Sequence, residues 1–226
     1  LAESIAQTGR PIQRPLGLAY PRLTSHPSDE YLFGDDLLVA PVMTRGAVRR
    51  SVLFPPGTWI DFVSGEIFAG LSERTVEVSA PLHKLPLFVR AGAIVPMLRP
   101  TIDTLSPTTD ASVESFANQP GLLWVLMVPG EQPSQFVVYD GTRLGYDPRT
   151  QTISAVSGSV FAQGLVLQVS PLPVEPTQVR AGTETLLRVA TSPDLDMQSS
   201  GFTWSKERGG TLSIKLTKAQ SSVTFR

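Results

Sequence analysis

Between Tyr31 and Val42 the chain reads Tyr-Leu-Phe-Gly-Asp-Asp-Leu-Leu-Val-Ala-Pro-Val, and Leu37, Leu38, Val39, Ala40 and Val42 leave almost no polar position for a wet sheet face. Such a run predicts a strand buried on both sides, launched from the turn Gly34-Asp35-Asp36. Pro41 removes a backbone donor, so the strand must break there or lie at a sheet edge. Further strand candidates follow at intervals of about ten residues, the spacing of a sandwich. In the first half they are Val48–Phe54, Trp59–Phe62 with Asp61 turned away from Trp59 and Ile60, Thr75–Ser79, Pro86–Val89 and Ala93–Pro96. Turns separate them at Ser25–Asp29, Thr44–Ala47, Pro55–Thr58 and Val63–Glu66. Pro11, Pro15 and Pro21 predict an extended path from Pro11 to Tyr20.

Residues 101–119 are polar and rich in Ser and Thr, with no sustained period, which makes them a linker or a loop across a sheet end. Beyond them the pattern resumes with Leu122–Val128, the most apolar window of the chain, then Gln135–Tyr139, Val160–Ser170, Thr177–Ala181, Thr185–Val189, Thr211–Thr217 and Ser222–Phe225. Asp140-Gly141 and Gly145 read as turns. The expectation is an all-β chain of two consecutive antiparallel β-sandwich domains, residues 11–100 and 120–226, with no internal repeat between them. Ahead of them, Leu1, Ile5 and Thr8 share a helical face, with Gly9 at the C′ position and Pro11 beyond. Residues 1–10 thus read as the last turns of a helix, and the chain as a fragment or a processed product.

Composition narrows the function classes. With 19 Lys and Arg against 20 Asp and Glu, the net charge of −1 gives no electrostatic reason to expect nucleic acid or an anionic membrane as partner. There is no Cys, hence no disulfide and no thiolate metal site. No stretch approaches the roughly 18 apolar residues of a helical span. Twenty Pro and eighteen Gly, dispersed along the chain, suit many short strands and turns.

Candidate chemistry is thin. Asp35 and Asp36 are adjacent, so on a strand their carboxyls point to opposite faces, and backbone N–H groups of the turn are their expected partners. Asp29 and Glu30 sit beside a turn and are expected to be solvated. His26 and His83 stand alone, without the clustered carboxylates of a metal site, so no metal and no cofactor is expected; His83 reads as a rim or packing residue. No Gly-x-Ser-x-Gly elbow occurs, and Gly70, Gly92 and Gly141 are isolated turn glycines, not a phosphate loop. Trp59 and Trp124 lie in apolar context and read as core. Trp204, and Tyr146 beside Gly145, form the candidate sugar-stacking platform of a carbohydrate-binding module.

Four segments, Gly9–Leu16 (GRPIQRPL), Tyr31–Val42, Leu53–Gly70 (LFPPGTWIDFVSGEIFAG) and Ala80–Pro96 (APLHKLPLFVRAGAIVP), together resemble the C-terminal side of glycoside hydrolase family 31, the α-glucosidases and α-xylosidases. The resemblance rests on Tyr31, Phe33, Gly34, Asp35, Asp36, Pro41, Pro55, Gly57, Trp59, Pro86, Arg90, Gly92 and Pro96. In the second half, Tyr139-Asp140-Gly141 departs from the longer acidic turn of many relatives. The resemblance implies an N-terminal sandwich, a (β/α)8 barrel and then proximal and distal β-domains, with residues 1–10 as the end of the last barrel helix. Enzymes of this family are retaining, with one aspartate as nucleophile and a second carboxylic acid as proton donor. Both belong to barrel motifs that do not occur in these 226 residues. The chain is therefore expected to carry no catalytic residue, to pack against an N-terminal barrel of the same enzyme, covalently or as a separate chain, and to be inactive alone. A secreted, periplasmic or lysosomal location is compatible with the resemblance. The expected docking face is Leu1–Pro15, with Leu1, Ile5, Ile12 and Leu16 exposed as an apolar patch.

Overall fold

Gly34, at φ 69°, reverses the chain between β2 (Tyr31–Phe33) and β3 (Leu37–Val39), a backbone geometry that costs a residue with a Cβ. The structure is a computed structural model describing residues 6, 8–118, 120–161, 163–218 and 222–226. Contacts divide the chain into two units, Leu1–Ala91 and Gly92–Arg226.

In the first unit, β1 (Gln13–Pro15), β2, β3, β8 (Leu87–Arg90), β5 (Gly57–Asp61) and β6 (Ile67–Gly70) form one antiparallel sheet in that order. The expected central strand is an interior one, ending after Val39; the Ala40 N–H still donates to Pro86 O at 3.0 Å, and Pro41 has no N–H to continue. A separate ribbon pairs β4 (Arg49–Phe54) with β7 (Arg74–Ser79). Phe54 of the ribbon stacks on Phe68 at 4.6 Å and meets the edge of Phe88 at 4.7 Å, so three rings fasten the ribbon to the sheet. Each such buried ring contributes roughly 2 kcal/mol by removal from water. Trp59 and Leu38 complete this core, and the Trp59 indole N–H donates to Pro55 O at 3.1 Å.

Two expectations fail at the start of the unit. Leu16–Ala19 is a one-turn helix, α1, not an extended segment, because Pro15 stands before the first turn, where its missing N–H is not required, and the Tyr20 N–H closes the turn on Leu16 O at 2.7 Å. Leu16 is fully buried in the unit's own core and Ile12 is half-buried, so neither belongs to an exposed patch. Leu1 and Ile5 lie outside the described residues; of residues 1–10, Ala6 and Thr8 are helical and Gly9 and Arg10 are not, and the others lie outside the described residues.

The second unit holds two sheets around one core. The first orders β17 (Gly201–Ser205), β18 (Thr211–Leu216), β14 (Leu165–Val169), β10 (Leu123–Met127) and β9 (Ile94–Met97). The other orders β11 (Ser134–Val137), β12 (Arg143–Asp147), β13 (Thr152–Val156), β19 (Val223–Phe225), β15 (Val179–Ala181) and β16 (Glu184–Thr185). Val125, Met127, Leu167 and Ile214 from one sheet and Ile153, Val179, Val223 and Phe225 from the other form the interior. The sheets are antiparallel except where β10 runs parallel to β14, Val125 opposite Leu167.

The division falls at Ala91/Gly92 and not near Pro100, because β9 pairs with β10 and Pro96 sits on that sheet's edge strand, where a missing donor is harmless. Residues 101–118 are a folded loop of this unit: Asp103 N donates to Glu114 O, Phe116 N donates to Thr104 O, and the Phe116 ring lies 6.2 Å from Phe161. Gly145 is a strand residue and not a turn, paired with Ser154, whose Oγ lies 2.6 Å from where a Cβ would stand. A short capped helix, α2 (Ser192–Asp196), starts at Thr191, with Thr191 and Asp194 bonded reciprocally.

Candidate functional site

Buried ionic anchors, rather than a cleft, are the concentrated chemistry of the first unit. At the β1–β2 edge the Arg14 guanidinium is buried, with Nη2 2.5 Å from Gly34 O and also bonded to Asp35 Oδ1. Arg10 adds a second cation, Nη2 3.2 Å from the same Asp35 oxygen. The Asp35 partners are thus two arginines from the entering segment, not the turn's backbone. Asp36, next to it, has its carboxyl held above the usual range, first by burial and then by the Asp35 charge, with Arg90 opposing. Arg14 Nε is buried with no hydrogen-bond partner among the described residues.

The second anchor corrects an expectation. Glu30 is buried, not solvated, and both its oxygens accept from the Leu53 N–H at 3.1 Å while Oε1 lies 2.9 Å from Arg50 Nη2. Arg50 also reaches Asp29 Oδ2 at 3.2 Å and donates to Pro41 O. Burial pushes the Glu30 carboxyl up to about 7, against the downward pull of the Leu53 N–H and Arg50. The cause is plain: one desolvated carboxylate shares its arginine with a second acid.

Asp61 is the third. It does not point to water either: Oδ2 lies 2.6 Å from Lys84 Nζ, and Oδ1 accepts from Val63 N at 2.9 Å and Ser64 N at 2.8 Å. Burial pushes this carboxyl up, but Lys84 and the two N–H groups outweigh it and hold the group below its ordinary range. In the second unit, Asp140 closes the loop after Tyr139: it accepts from Thr142 N at 2.9 Å, Thr142 Oγ1 at 3.0 Å and Val160 N at 3.1 Å.

The sugar platform does not form. Tyr146 is 3% exposed, its ring stacked 6.3 Å from Phe225 in the core. Trp204 is half-buried against that core, with its indole N–H spent on Leu172 O at 3.0 Å. Trp124 is half-buried on β10, not fully in the core. His26 and His83 are both exposed, and no cluster of three metal-ligating side chains occurs among the described residues. The remaining motif residues are architectural. Phe33 is 38% exposed, Tyr31 and Arg90 are strand residues, Gly57 and Gly92 take φ 126° and 87°, and Pro41, Pro55 and Pro86 offer carbonyls to Arg50, Trp59 and Ala40. An open groove of about 500 Å³ is lined by Tyr20, Leu23, Pro56, Leu71 and Glu73. Chemically, the buried acids Glu30 and Asp61 are consumed in holding backbone and cations. Their cationic partners, Arg50 and Lys84, come from distant segments, so sequence pattern did not expose them; the one local signal was an acid, Asp61, flanked by Ile60 and Phe62.

Residues 9–95 match the model of the glycosyl hydrolase family 31 C-terminal domain. The isomaltosyltransferase of Sporosarcina globispora is 36% identical over 119 residues, 52% of this chain and 11% of that protein. The lysosomal alpha-glucosidase of Bos taurus is 29% identical over 222 residues, 88% of this chain and 22% of that protein. A family 31 dextranase of Flavobacterium johnsoniae, solved in complex with glucose, superposes with a TM-score of 0.74 at 23% identity, covering 100% of this chain and 30% of that one, a likeness of fold. The chain therefore spans only 11% and 22% of the length of these two curated relatives.

Proposed function

We propose, for a chain that belongs to glycoside hydrolase family 31 through its C-terminal domain, a structural role: two β-domains that cover and stabilise the catalytic barrel of an α-glycosidase. The barrel is not in this chain. The observation that carries the reading is how the entering segment is fixed. Strand β1 joins the six-stranded sheet at its edge, Leu16 is sunk in the core behind it, and Arg14 and Arg10 both hold Asp35. A barrel attached ahead of Arg10 meets a rigid face and not a tether, so the stability of the β-unit is transmitted to it. The buried acids Glu30 and Asp61 are engaged in anchoring, which supports a role without catalysis. The substrate class follows the relatives, α-glucosides and related α-glycosides.

The test is hydrolysis of a chromogenic α-glucoside by the purified chain, alone and mixed with the barrel of a family 31 α-glucosidase lacking its own C-terminal domains. The chain alone is expected to be inactive, and the barrel to inactivate more slowly on heating in its presence. Turnover that tracks the 24.4 kDa species by itself overturns the proposal.

A further inference from the structure

Arg50 is shared between two carboxylates of opposite exposure. Its Nη2 lies 2.9 Å from Glu30 Oε1, whose side chain is 2% exposed, and 3.2 Å from Asp29 Oδ2, whose side chain is 42% exposed. The same guanidinium donates to Asp29 O and Pro41 O, so one cation ties the segment before β2, the second residue past β3 and the ribbon strand β4. Beside Arg50 lies an open hollow of about 280 Å³, lined by Asp29, Val42, Met43, Thr44, Arg49 and Arg50 itself. We propose that Glu30 is a proton-controlled latch: ionised, it grips Arg50 and the Leu53 N–H; protonated, it releases Arg50 to Asp29 and loosens the Val42–Val48 connection between β3 and β4.

The charges facing Glu30 define the device. Arg50 on β4 and Asp29 on its own segment are the groups that act on it, and Arg49 is turned to Glu77 of β7 at 2.9 Å. Neutralising a dry carboxylate removes the charge-assisted half of its bond to Arg50, while the more exposed Asp29 remains within 3.2 Å of the same guanidinium. A carboxyl buried to this extent gains a proton well above the range of a solvated glutamate, and Glu30 is placed to do so near neutrality, at about 7.

The test is an NMR titration of the full 226-residue chain, following the Glu30 carboxyl carbon, the Arg50 guanidinium signals and amide exchange across Val42–Val48. The expected result is a common midpoint within about one unit of 7, with lower amide protection on the acid side once the intrinsic pH dependence of exchange is divided out. In D29N the midpoint moves down, because a like charge is removed and Arg50 is left to Glu30 alone. Titration of Glu30 in the ordinary carboxylate range overturns the proposal, as does a Glu30 midpoint that Arg50 and Val42–Val48 do not follow. These readouts need no barrel and no turnover, so they stand or fall apart from the structural role proposed for the domains.

Discussion

Lys84 Nζ lies 2.6 Å from Asp61 Oδ2, and the carboxylate it meets is 2% exposed. Asp61 terminates β5 and accepts the Val63 and Ser64 N–H groups, so the ion pair also shapes the turn into β6. Replacing Lys84 by Met leaves a buried carboxylate with backbone donors only. The expected loss is about 3 kcal/mol in urea unfolding. An unchanged midpoint would mean that the two N–H groups suffice.

The pH dependence of that pair has a definite sign. The Asp61 carboxyl is held below its unfolded value, so its contribution is complete above the ordinary 3.8 and is lost as pH falls through the lower folded value. The stability gap between wild type and D61N is therefore expected to shrink in unfolding curves taken from pH 5 to pH 2. A constant gap would show that Asp61 titrates alike in both states.

Glu30 runs the other way. Its folded carboxyl is raised from 4.5 to about 7, so below 4.5 both states are protonated and no penalty arises. Between those values the unfolded chain has already ionised, and stability falls with rising pH until the folded group ionises too. Relative to E30Q, wild type should lose stability between pH 4.5 and pH 7 and hold level above that. Parallel melting-temperature profiles would remove the assignment.

At the β1 edge, Arg14→Ala should cost about 3 kcal/mol, since it removes a buried guanidinium and frees Gly34 O. Asp35→Ala should cost a similar amount, about 3 kcal/mol, because it leaves the buried Arg14 guanidinium with Gly34 O and without its carboxylate partner. Chemical denaturation of the two variants and the double mutant separates the edge anchor from simple surface pairing.

Two glycines make contrasting cases. A Cβ at Gly210 would stand 1.9 Å from Leu172 O on a backbone with φ 98°, so Gly210→Ala is expected to destabilise the second unit by several kcal/mol, about 3 or more. At Gly145 the obstacle is the Ser154 hydroxyl, a side chain that can turn. Gly145→Ala should cost about 1 kcal/mol, and Ser154→Ala should restore it; calorimetry of the three variants decides.

Much of this architecture was legible before any coordinates. Leu37–Val39, Arg49–Phe54, Arg74–Ser79 and Leu123–Met127 announce themselves by composition and period, because each is specified by its own side chains. What was not legible depends on a partner elsewhere in the chain. Gly145 reads as a turn until Ser154 is seen opposite, Tyr146 reads as a platform until Phe225 covers it, and Glu30 reads as solvated until Arg50 reaches it from β4. The parallel register of β10 with β14 is invisible for the same reason, since neither strand carries a mark of direction.

That register bears on the order of events during synthesis. The eight strands found among the described residues of the first unit have left the ribosome's decoding centre once Arg90 is added. In the second unit β18 lies between β17 and β14, and β19 lies between β13 and β15, so the latest-made strands occupy the interior of both sheets. At roughly 5 to 20 residues per second, on the order of ten seconds separates Arg90 from Phe225. During that interval β13 waits for β19, and β14 for β18, with an unpaired side while the first unit is free to fold. A chaperone that shields nascent chains would meet its main client in the second unit, with Thr152–Val156 as the strand left uncovered longest.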